Sequence, residues 1–180
     1  MRLKKFYLLL VMILGFAALV FASSGEGKAE SKKAAEKAPN NKEIVWYAYD
    51  VGVAKAKKED KHVFIDFTSK WCGYCKKMDR EAFSDSTVIN LLNNDFVPVR
   101  VDGDSKKELD VNGYKITEQA LAKLEFRVRG YPSFWFLKPD GTRLTNVRGY
   151  RPTDFIVKAL TYVKDYRYDT TRTQGSGGNQ

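Results

Sequence analysis

The chain has 180 residues, of which 43% are hydrophobic, and this length and composition indicate one ordinary globular domain with flanking segments. Its two cysteines exclude a scaffold of several disulfide bonds, and with a single histidine they leave too few ligands for a structural zinc site. The formal charge of +9 comes without an arginine-rich stretch, so we expect a solvated, lysine-rich surface and no nucleic-acid partner.

The N-terminus has the pattern of a secretory signal. Arg2, Lys4 and Lys5 precede a continuous apolar run over residues 6–21, and Ala22 supplies a small residue before the cleavage point. This pattern predicts a signal peptide over residues 1–22 and a mature protein that is periplasmic or otherwise exported. The alternative is an uncleaved segment that anchors the chain to the membrane, although the apolar run is short for a full span.

Two further segments are expected to lie outside the folded domain. Residues 23–42 are rich in Ala, Lys, Glu and Ser, which is typical of a flexible linker. Residues 169–180 have no apolar anchor and predict a disordered tail. The folded domain is therefore predicted over residues 43–168.

Within that domain the apolar periodicity predicts strands that alternate with helices. The first half is predicted to hold a strand at 44–46, a helix capped by Asp50 that runs to about Lys58, a strand at 62–68 with His62 facing solvent at its start, and a helix from the cysteines to about Ala82. The second half is predicted to hold a helix after the capping cluster at 84–86, a strand at 96–101, a helix at 117–124, a hairpin of strands 133–137 and 144–147 about a turn at 139–142, and a closing helix at 152–166. This order predicts an α/β fold whose central mixed sheet is covered by helices on both faces.

The two cysteines lie in the run Trp71-Cys72-Gly73-Tyr74-Cys75, directly after the apolar residues 63–67. Two thiols at this spacing can close on each other with little rearrangement, and outside the cytoplasm such a pair is usually held as a disulfide. If a helix begins at Cys72, its unpaired amides favour a thiolate there. The pattern indicates a reversible redox pair; the alternatives are an inert bridge and half of a zinc site.

Two runs of residues resemble the thioredoxin superfamily. They are Asp-Phe-Thr-Ser-Lys-Trp-Cys-Gly-Tyr-Cys-Lys at 66–76 and Val-Arg-Gly-Tyr-Pro-Ser at 128–133, and the resemblance covers about residues 44–166. The following run at 77–85 is similar to exported thioredoxin-like proteins such as the C-terminal domain of the thiol:disulfide interchange protein DsbD. The resemblance implies a thioredoxin-like fold and thiol–disulfide oxidoreductase activity.

The candidate catalytic residues are Cys72, Cys75 and Asp66. Cys72 is the expected nucleophile and the more exposed sulfur, and Cys75 is expected to resolve the mixed disulfide. Asp66 lies within an apolar run, so burial should raise its pKa and let it exchange a proton with Cys75. The alternative is an Asp at a strand end that meets solvent.

The candidate binding residues surround that pair. The resemblance implies that Pro132 is a cis-proline beside the disulfide and that the backbone of Tyr131 pairs with a partner polypeptide. Trp71, Gly73 and Tyr74 are expected to form the rim around Cys72, with partial core packing as the alternative for the two aromatic residues.

Two departures from the family pattern bear on function. Gly73-Tyr74 replaces the common Gly-Pro between the cysteines, and Gly-Tyr also occurs in exported disulfide isomerases. Residues 105–116 form a polar insertion with a turn at Asn112-Gly113, which is either a surface loop or a contact for a partner near the site.

The sequence therefore predicts an exported thiol–disulfide oxidoreductase that mainly reduces disulfides of exported proteins. It is expected to be a monomer, to receive electrons from a membrane donor, and to need no cofactor or metal beyond its Cys72–Cys75 disulfide. The alternatives are a disulfide isomerase or oxidase, and a non-enzymatic binding or assembly module built on the same fold.

Overall fold

A computed structural model describes residues 42–169 of the chain. The helices are α1 (Tyr49–Glu59), α2 (Gly73–Arg80), α3 (Ser86–Asp95), the single turn α4 (Glu118–Ala120), which continues as a π-helical turn (Leu121–Glu125), and α5 (Thr153–Lys164). The strands are β1 (His62–Thr68), β2 (Phe96–Asp102), β3 (Glu108–Val111), β4 (Tyr114–Thr117), β5 (Ser133–Leu137) and β6 (Arg143–Arg148). The predicted signal peptide, nearly all of the linker and nearly all of the tail lie outside the described residues.

Four of the strands form one mixed sheet in the order β2-β1-β5-β6. β1 pairs in parallel with β2 and antiparallel with β5, so it is a central strand of the sheet. Its C-terminal end leads directly into the cysteine motif. Its residues from His62 to Phe67 are all buried, as a central strand covered on both faces requires. The predicted α/β fold with a central mixed sheet between helices is confirmed.

Two apolar cores cover the two faces of this sheet, because successive side chains of a strand point to opposite faces. Phe64 of β1 packs with residues of α2, α3 and α5, including Met78, Leu92 and Leu160. Val63, Ile65 and Phe67 pack on the other face with residues of α1, the β3–β4 hairpin and the π-helical turn. By this alternation Asp66 is on the Phe64 face, the face that α2 covers.

The helix that carries the cysteines begins where the sequence predicts. Cys72 is the N-cap residue of α2, and the main chain turns from β1 into this helix within four residues. The predicted capping cluster before α3 is also present, since the Asp85 carboxylate accepts hydrogen bonds from the amides of Thr87 and Val88 at 2.8 and 3.1 Å.

Three local predictions at the start of the domain were wrong. Residues 44–46 form no strand; instead Tyr47 makes one isolated parallel bridge to Val99 beside β2. Asp50 does not cap α1, because the helix starts one residue earlier, after Ala48, and the Asp50 carboxylate accepts from the amides of Val51 and Asp110. His62 does not face solvent: it is buried, with Nε2 2.6 Å from the Tyr168 hydroxyl.

The predicted insertion at residues 105–116 contains a second, two-stranded sheet, β3–β4, rather than an irregular loop. Asn112 and Gly113 form its tight turn with φ of 56° and 83°, and positive φ at both central residues is typical of a type I′ hairpin turn. Leu109 and Ile116 are buried in the core on the α1 face. The insertion is therefore part of the folded domain.

None of the helices within residues 42–169 is long and apolar enough to cross a membrane.

Candidate active site

Cys72 and Cys75 form a disulfide bond at the N-terminus of α2, with their Cα atoms 5.2 Å apart. The backbone amide of Cys75 donates a hydrogen bond to the Cys72 sulfur at 3.0 Å. An N-cap atom in this position receives the field of the first helical turn, which favours negative charge once the bond is reduced. The predicted difference in exposure is absent in the disulfide form, since each cysteine is 4% exposed.

The loop before β5 approaches the cysteine motif from the other side. The Tyr131–Pro132 peptide bond is cis, as the resemblance implied, and Pro132 is buried. The Pro132 carbonyl accepts a hydrogen bond from the Gly149 amide at 2.8 Å, which ties the loop to the end of β6. Within residues 42–169 the backbone N–H of Tyr131 has no hydrogen-bond partner, so an extended segment can pair with it.

Trp71 and Tyr131 join these two parts of the site. Their rings meet edge to face with centroids 5.9 Å apart. The Trp71 indole N–H donates to an Asp104 carboxylate oxygen at 2.6 Å, and the Ser69 hydroxyl donates to the same oxygen at 2.6 Å. Trp71 is 71% exposed although its ring is held in this way, so it presents a fixed apolar surface beside Cys72.

The Tyr131 ring lies directly on Gly103, where a Cβ atom would overlap the tyrosine hydroxyl and ring. The Tyr131 ring can lie here only because position 103, in the loop after β2, is a glycine and has no Cβ. Partial burial raises the pKa of Tyr131, and the nearby carboxylates of Asp104 and Asp102 raise it further. The phenol therefore remains neutral over the ordinary pH range.

Tyr74 forms the rim on the helix side. It is 63% exposed, and its ring lies 6.2 Å from that of Tyr150. Tyr150 donates a hydrogen bond to Glu81 at 2.5 Å, and this bond raises the pKa of Tyr150. The ammonium group of Lys77 lies 4.3 Å from the Tyr150 ring centroid. Gly73 is the first residue of α2 and faces open space.

Asp66 lies in β1 beneath α2, and its carboxylate is buried with 2% of the residue exposed. Arg100 of β2, its neighbour in register, donates from Nε to Asp66 Oδ2 at 2.9 Å and from Nη2 to Asp79 Oδ1 at 2.6 Å. The other Asp66 oxygen, Oδ1, has no hydrogen-bond partner. Burial raises the pKa of Asp66 to about 6, against the opposing attraction of Arg100.

Arg100 connects Asp66 to the cysteine helix. Asp79 follows Cys75 by four residues on α2, so the two lie on the same side of that helix. The Arg100 guanidinium also stacks over Trp46, 4.1 Å from the ring centroid. This arrangement links the buried Asp66 carboxyl, which can take up or release a proton near neutral pH, to the helix that carries the cysteines.

The structure thus places every predicted site residue at the C-terminal end of β1, the start of α2 or the loop before β5. Sequence reasoning missed the residues that hold them: Arg100, Asp79, Asp104, Gly103 and Tyr150. Arg100 had one signal, a charge that interrupts the apolar strand at residues 96–101. Asp104 and Tyr150 had none, because their partners are 33 and 69 residues away in sequence.

Among residues 42–169, no group of three or more His, Cys, Asp or Glu side chains is arranged to hold a metal ion.

Comparison with known proteins places residues 49–164 in the thioredoxin-like domain family. Among curated proteins, the chain is 31% identical over 108 residues to a protein disulfide-isomerase of Hordeum vulgare, an alignment that covers 60% of this chain and 18% of that protein. The chain spans less than a fifth of the length of the curated relatives it matches.

Solved structures give a similar result over more of their length. A thioredoxin from Thermus thermophilus is 31% identical, with a TM-score of 0.56 over 67% of this chain and 87% of that one. The DsbH oxidoreductase is 21% identical, with a TM-score of 0.51 over 68% of this chain and 85% of that one, which bears on the fold alone.

Proposed function

This chain belongs to the thioredoxin-like domain family, and from that premise we propose that it is an exported thiol–disulfide oxidoreductase that mainly reduces disulfides in exported proteins. The observation that carries the proposal is the Cys72–Cys75 disulfide at the N-terminus of α2. It is the single bridge of the chain, it has an amide directed at the sulfur of Cys72, and it lies beside exposed aromatic side chains. An inert bridge would need none of these features.

In the reduced protein, the Cys72 thiolate attacks one sulfur of a partner disulfide. A bond forms between Cys72 and that sulfur, the partner's own S–S bond breaks, and the departing sulfur takes up a proton. The Cys75 thiolate then attacks the Cys72 sulfur, which forms the Cys72–Cys75 bond and releases the second partner thiol. The partner gains two electrons and two protons, and this protein loses them.

Asp66 supplies the base for the second attack. Cys75 must lose its proton before it can act as a nucleophile, and a carboxylate with a pKa of about 6 is ionised at neutral pH. Its Oδ1 has no partner and is available to hold the proton, while Arg100 keeps Oδ2 in place.

The cycle needs a source of electrons, and we propose a dithiol donor in the membrane. Export is inferred from the N-terminal pattern at residues 1–22, and outside the cytoplasm a reducing dithiol must be resupplied. The donor's two thiols would reduce the Cys72–Cys75 bond by the same two exchange steps run in reverse. We further propose that the protein acts as a monomer on exported protein thiols and disulfides.

Insulin reduction tests the activity directly. The wild-type protein, with dithiothreitol as electron source, should accelerate precipitation of the insulin B chain, and Cys72→Ser should abolish the acceleration. Cys75→Ser is the matched control, because it keeps the nucleophile: once reduced and freed of dithiothreitol, it should accumulate a stable mixed disulfide with insulin. Turnover by Cys72→Ser equal to that of the wild type would rule out the proposal.

A disulfide isomerase is the second candidate, since protein disulfide-isomerases are among the relatives. The Gly73-Tyr74 pair between the cysteines also favours it. Scrambled ribonuclease mixed with a catalytic amount of the pre-reduced protein separates the two. An isomerase restores ribonuclease activity without net consumption of its thiols, whereas a reductase is oxidised after one turnover and only releases ribonuclease thiols.

A further inference from the structure

We infer that the surface around Cys72 selects partner segments that carry carboxylates within a few residues of their disulfide. The inference rests on the proposed function and names its substrate class. It depends on four exposed cations, here called the cationic rim, that lie in the cysteine segment, its helix or the cis-proline loop: Lys70, Lys76, Arg80 and Arg129.

The carboxylates near the cysteines are engaged within the protein. Asp104 accepts from Trp71 and Ser69, Asp79 accepts from Arg100, and Glu81 accepts from Tyr150. Asp79 is thus paired with a cation, as is Glu81, which lies 3.9 Å from the ammonium group of Lys77. Within the described part of the chain Asp104 has only uncharged donors, so it keeps its negative charge on the Trp71 side of the site.

The four side chains of the cationic rim are not paired in this way with any residue that the structure describes. Lys70 and Lys76 flank the cysteine motif, Arg80 lies at the end of α2, and Arg129 precedes the cis-proline by three residues. Within residues 42–169, none of the four forms an ion pair with an acidic side chain. On the α2 side of the site, where Asp79 and Glu81 are paired with cations, the unpaired Lys76 and Arg80 make the surface positive toward an approaching chain.

A surface depression lies next to the nucleophile, on the same side as these cations. Its volume is about 380 Å³, and it is lined by Gly73, Tyr74, Lys77 and Arg80. It begins at the residue after Cys72, and its walls are mainly apolar, with the exposed Tyr74 ring on one side. Of its two cations, Lys77 pairs with Glu81, whereas Arg80 has no acidic partner among residues 42–169. The apolar walls and the Arg80 guanidinium match a carboxylate on a short aliphatic stem, the side chain of Asp or Glu.

The position of the depression sets the distance along the partner chain. An extended segment advances about 3.3 Å per residue, so a carboxylate within about three residues of the attacked cysteine can reach it. Exposed ion pairs are individually weak, but several at one surface accelerate encounter. We expect about a fivefold higher kcat/KM for an acidic segment than for a neutral one of the same length at low salt.

Three disulfide-bonded peptides that differ only in their flanks, with Glu, Gln or Lys on both sides of the cystine, provide the test. The wild-type protein should reduce them in the order Glu, Gln, Lys, and 0.5 M NaCl should remove most of the difference because salt screens exposed charges. Arg80→Gln/Arg129→Gln should bring the Glu-to-Gln ratio close to one.

Lys57→Gln/Lys58→Gln is the matched control. It removes the same charge from the end of α1, which leads into the start of β1, at the end of the strand away from the cysteines. Seven strand residues separate the two ends by about 20 Å, so the control should keep the wild-type ratio. If both double variants lowered the Glu-to-Gln rate ratio equally, the preference would come from the net charge of the protein, and a local docking surface would be overturned.

The outcomes separate this inference from the proposed function. Equal rates for all three peptides leave the reductase intact and overturn the docking surface. If no peptide is reduced, the proposed function fails, and binding of serine-substituted peptides, followed by NMR shifts at Tyr74 and Arg80, still decides the docking surface. If the protein bound anionic phospholipid vesicles through the cationic rim and showed no preference among the peptides, the rim would be a membrane-binding surface and the peptide proposal would be overturned.

Discussion

Asp66 carries the most deeply buried carboxyl group among residues 42–169. Its carboxyl is buried in a central strand, and its pKa of about 6 lies well above its ordinary value of 3.8. Arg100 offsets part of the cost of ionisation, and it shares its charge with Asp79. A carboxyl held at this cost is more useful for transferring a proton than for stabilising the fold.

The first prediction concerns stability and pH. Between about pH 4 and 6 the folded state retains a proton on Asp66 that the unfolded state has lost, so the free energy of unfolding falls as pH rises through this window. Above pH 6 the free energy of unfolding has fallen by its full amount, which is about 3 kcal/mol because the pKa of Asp66 is raised by about two units. Asp66→Asn should therefore be about 3 kcal/mol more stable than the wild type at pH 7 and little different at pH 3.5.

Urea denaturation of the oxidised proteins at both pH values measures this difference. Asp79→Asn is the control, because it removes the exposed carboxylate on the other side of Arg100 and should change stability by less than about 1 kcal/mol. A wild type and an Asp66→Asn variant with parallel pH dependence would contradict the assigned environment.

The second prediction concerns Gly103. A methyl group there would displace the Tyr131 ring and with it the edge-to-face contact with Trp71. Gly103→Ala should lower kcat/KM for a protein disulfide by about tenfold, through KM, because the wall beside Cys72 is lost while the thiols remain. Gly130→Ala is the control, since its Cβ would meet nothing within 4 Å. Unchanged kinetics in Gly103→Ala would show that Tyr131 does not shape the site.

At the scale of elements, the β3–β4 hairpin shows how a polar pattern can conceal a packed unit. Its residues are mostly exposed, which favours a surface loop, but Leu109 and Ile116 face the core. Two apolar positions are too few for periodicity to identify a strand pair. The Asn112-Gly113 turn was the stronger signal.

The third prediction tests that hairpin. Leu109→Ala should lower the free energy of unfolding by about 2–4 kcal/mol, since Leu109 is 2% exposed and its removal leaves a cavity beside β2 and the π-helical turn. Tyr114→Ala, at an exposed position in the same hairpin, should cost less than about 1 kcal/mol. Chemical denaturation measures both, and equal small effects would mean that the hairpin is not part of the core.

Elements with a strong local signal were predicted correctly. β1, α2 and α3 each combine an apolar pattern with a cap or a sharp boundary in sequence. The segment at residues 44–46 has strand-like composition, but in this region only Tyr47 forms a bridge to the sheet, with Val99. His62 was misplaced because its partner, Tyr168, is 106 residues away, and tertiary contacts of that kind leave no local trace.

For the whole molecule, the layered fold followed from the order of strands and helices, while the site followed from the cysteine spacing and the family resemblance together. What sequence could not give is the set of contacts that orient the site. Arg100 meets Asp66 only through the parallel register of β1 and β2, and Tyr131 meets Gly103 only when two loops come together. Such contacts depend on long-range pairing rather than on local preference.

The equilibrium reduction potential of the Cys72–Cys75 couple, measured against glutathione, tests the proposed direction of electron flow most directly. Each 30 mV corresponds to about 1.4 kcal/mol, so the method resolves the choice between reductase and oxidase. A reductase should give a value near that of thioredoxins, about −270 mV. A value near that of strong exported oxidants, about −120 mV, would contradict a reductase and identify a protein that donates its disulfide instead.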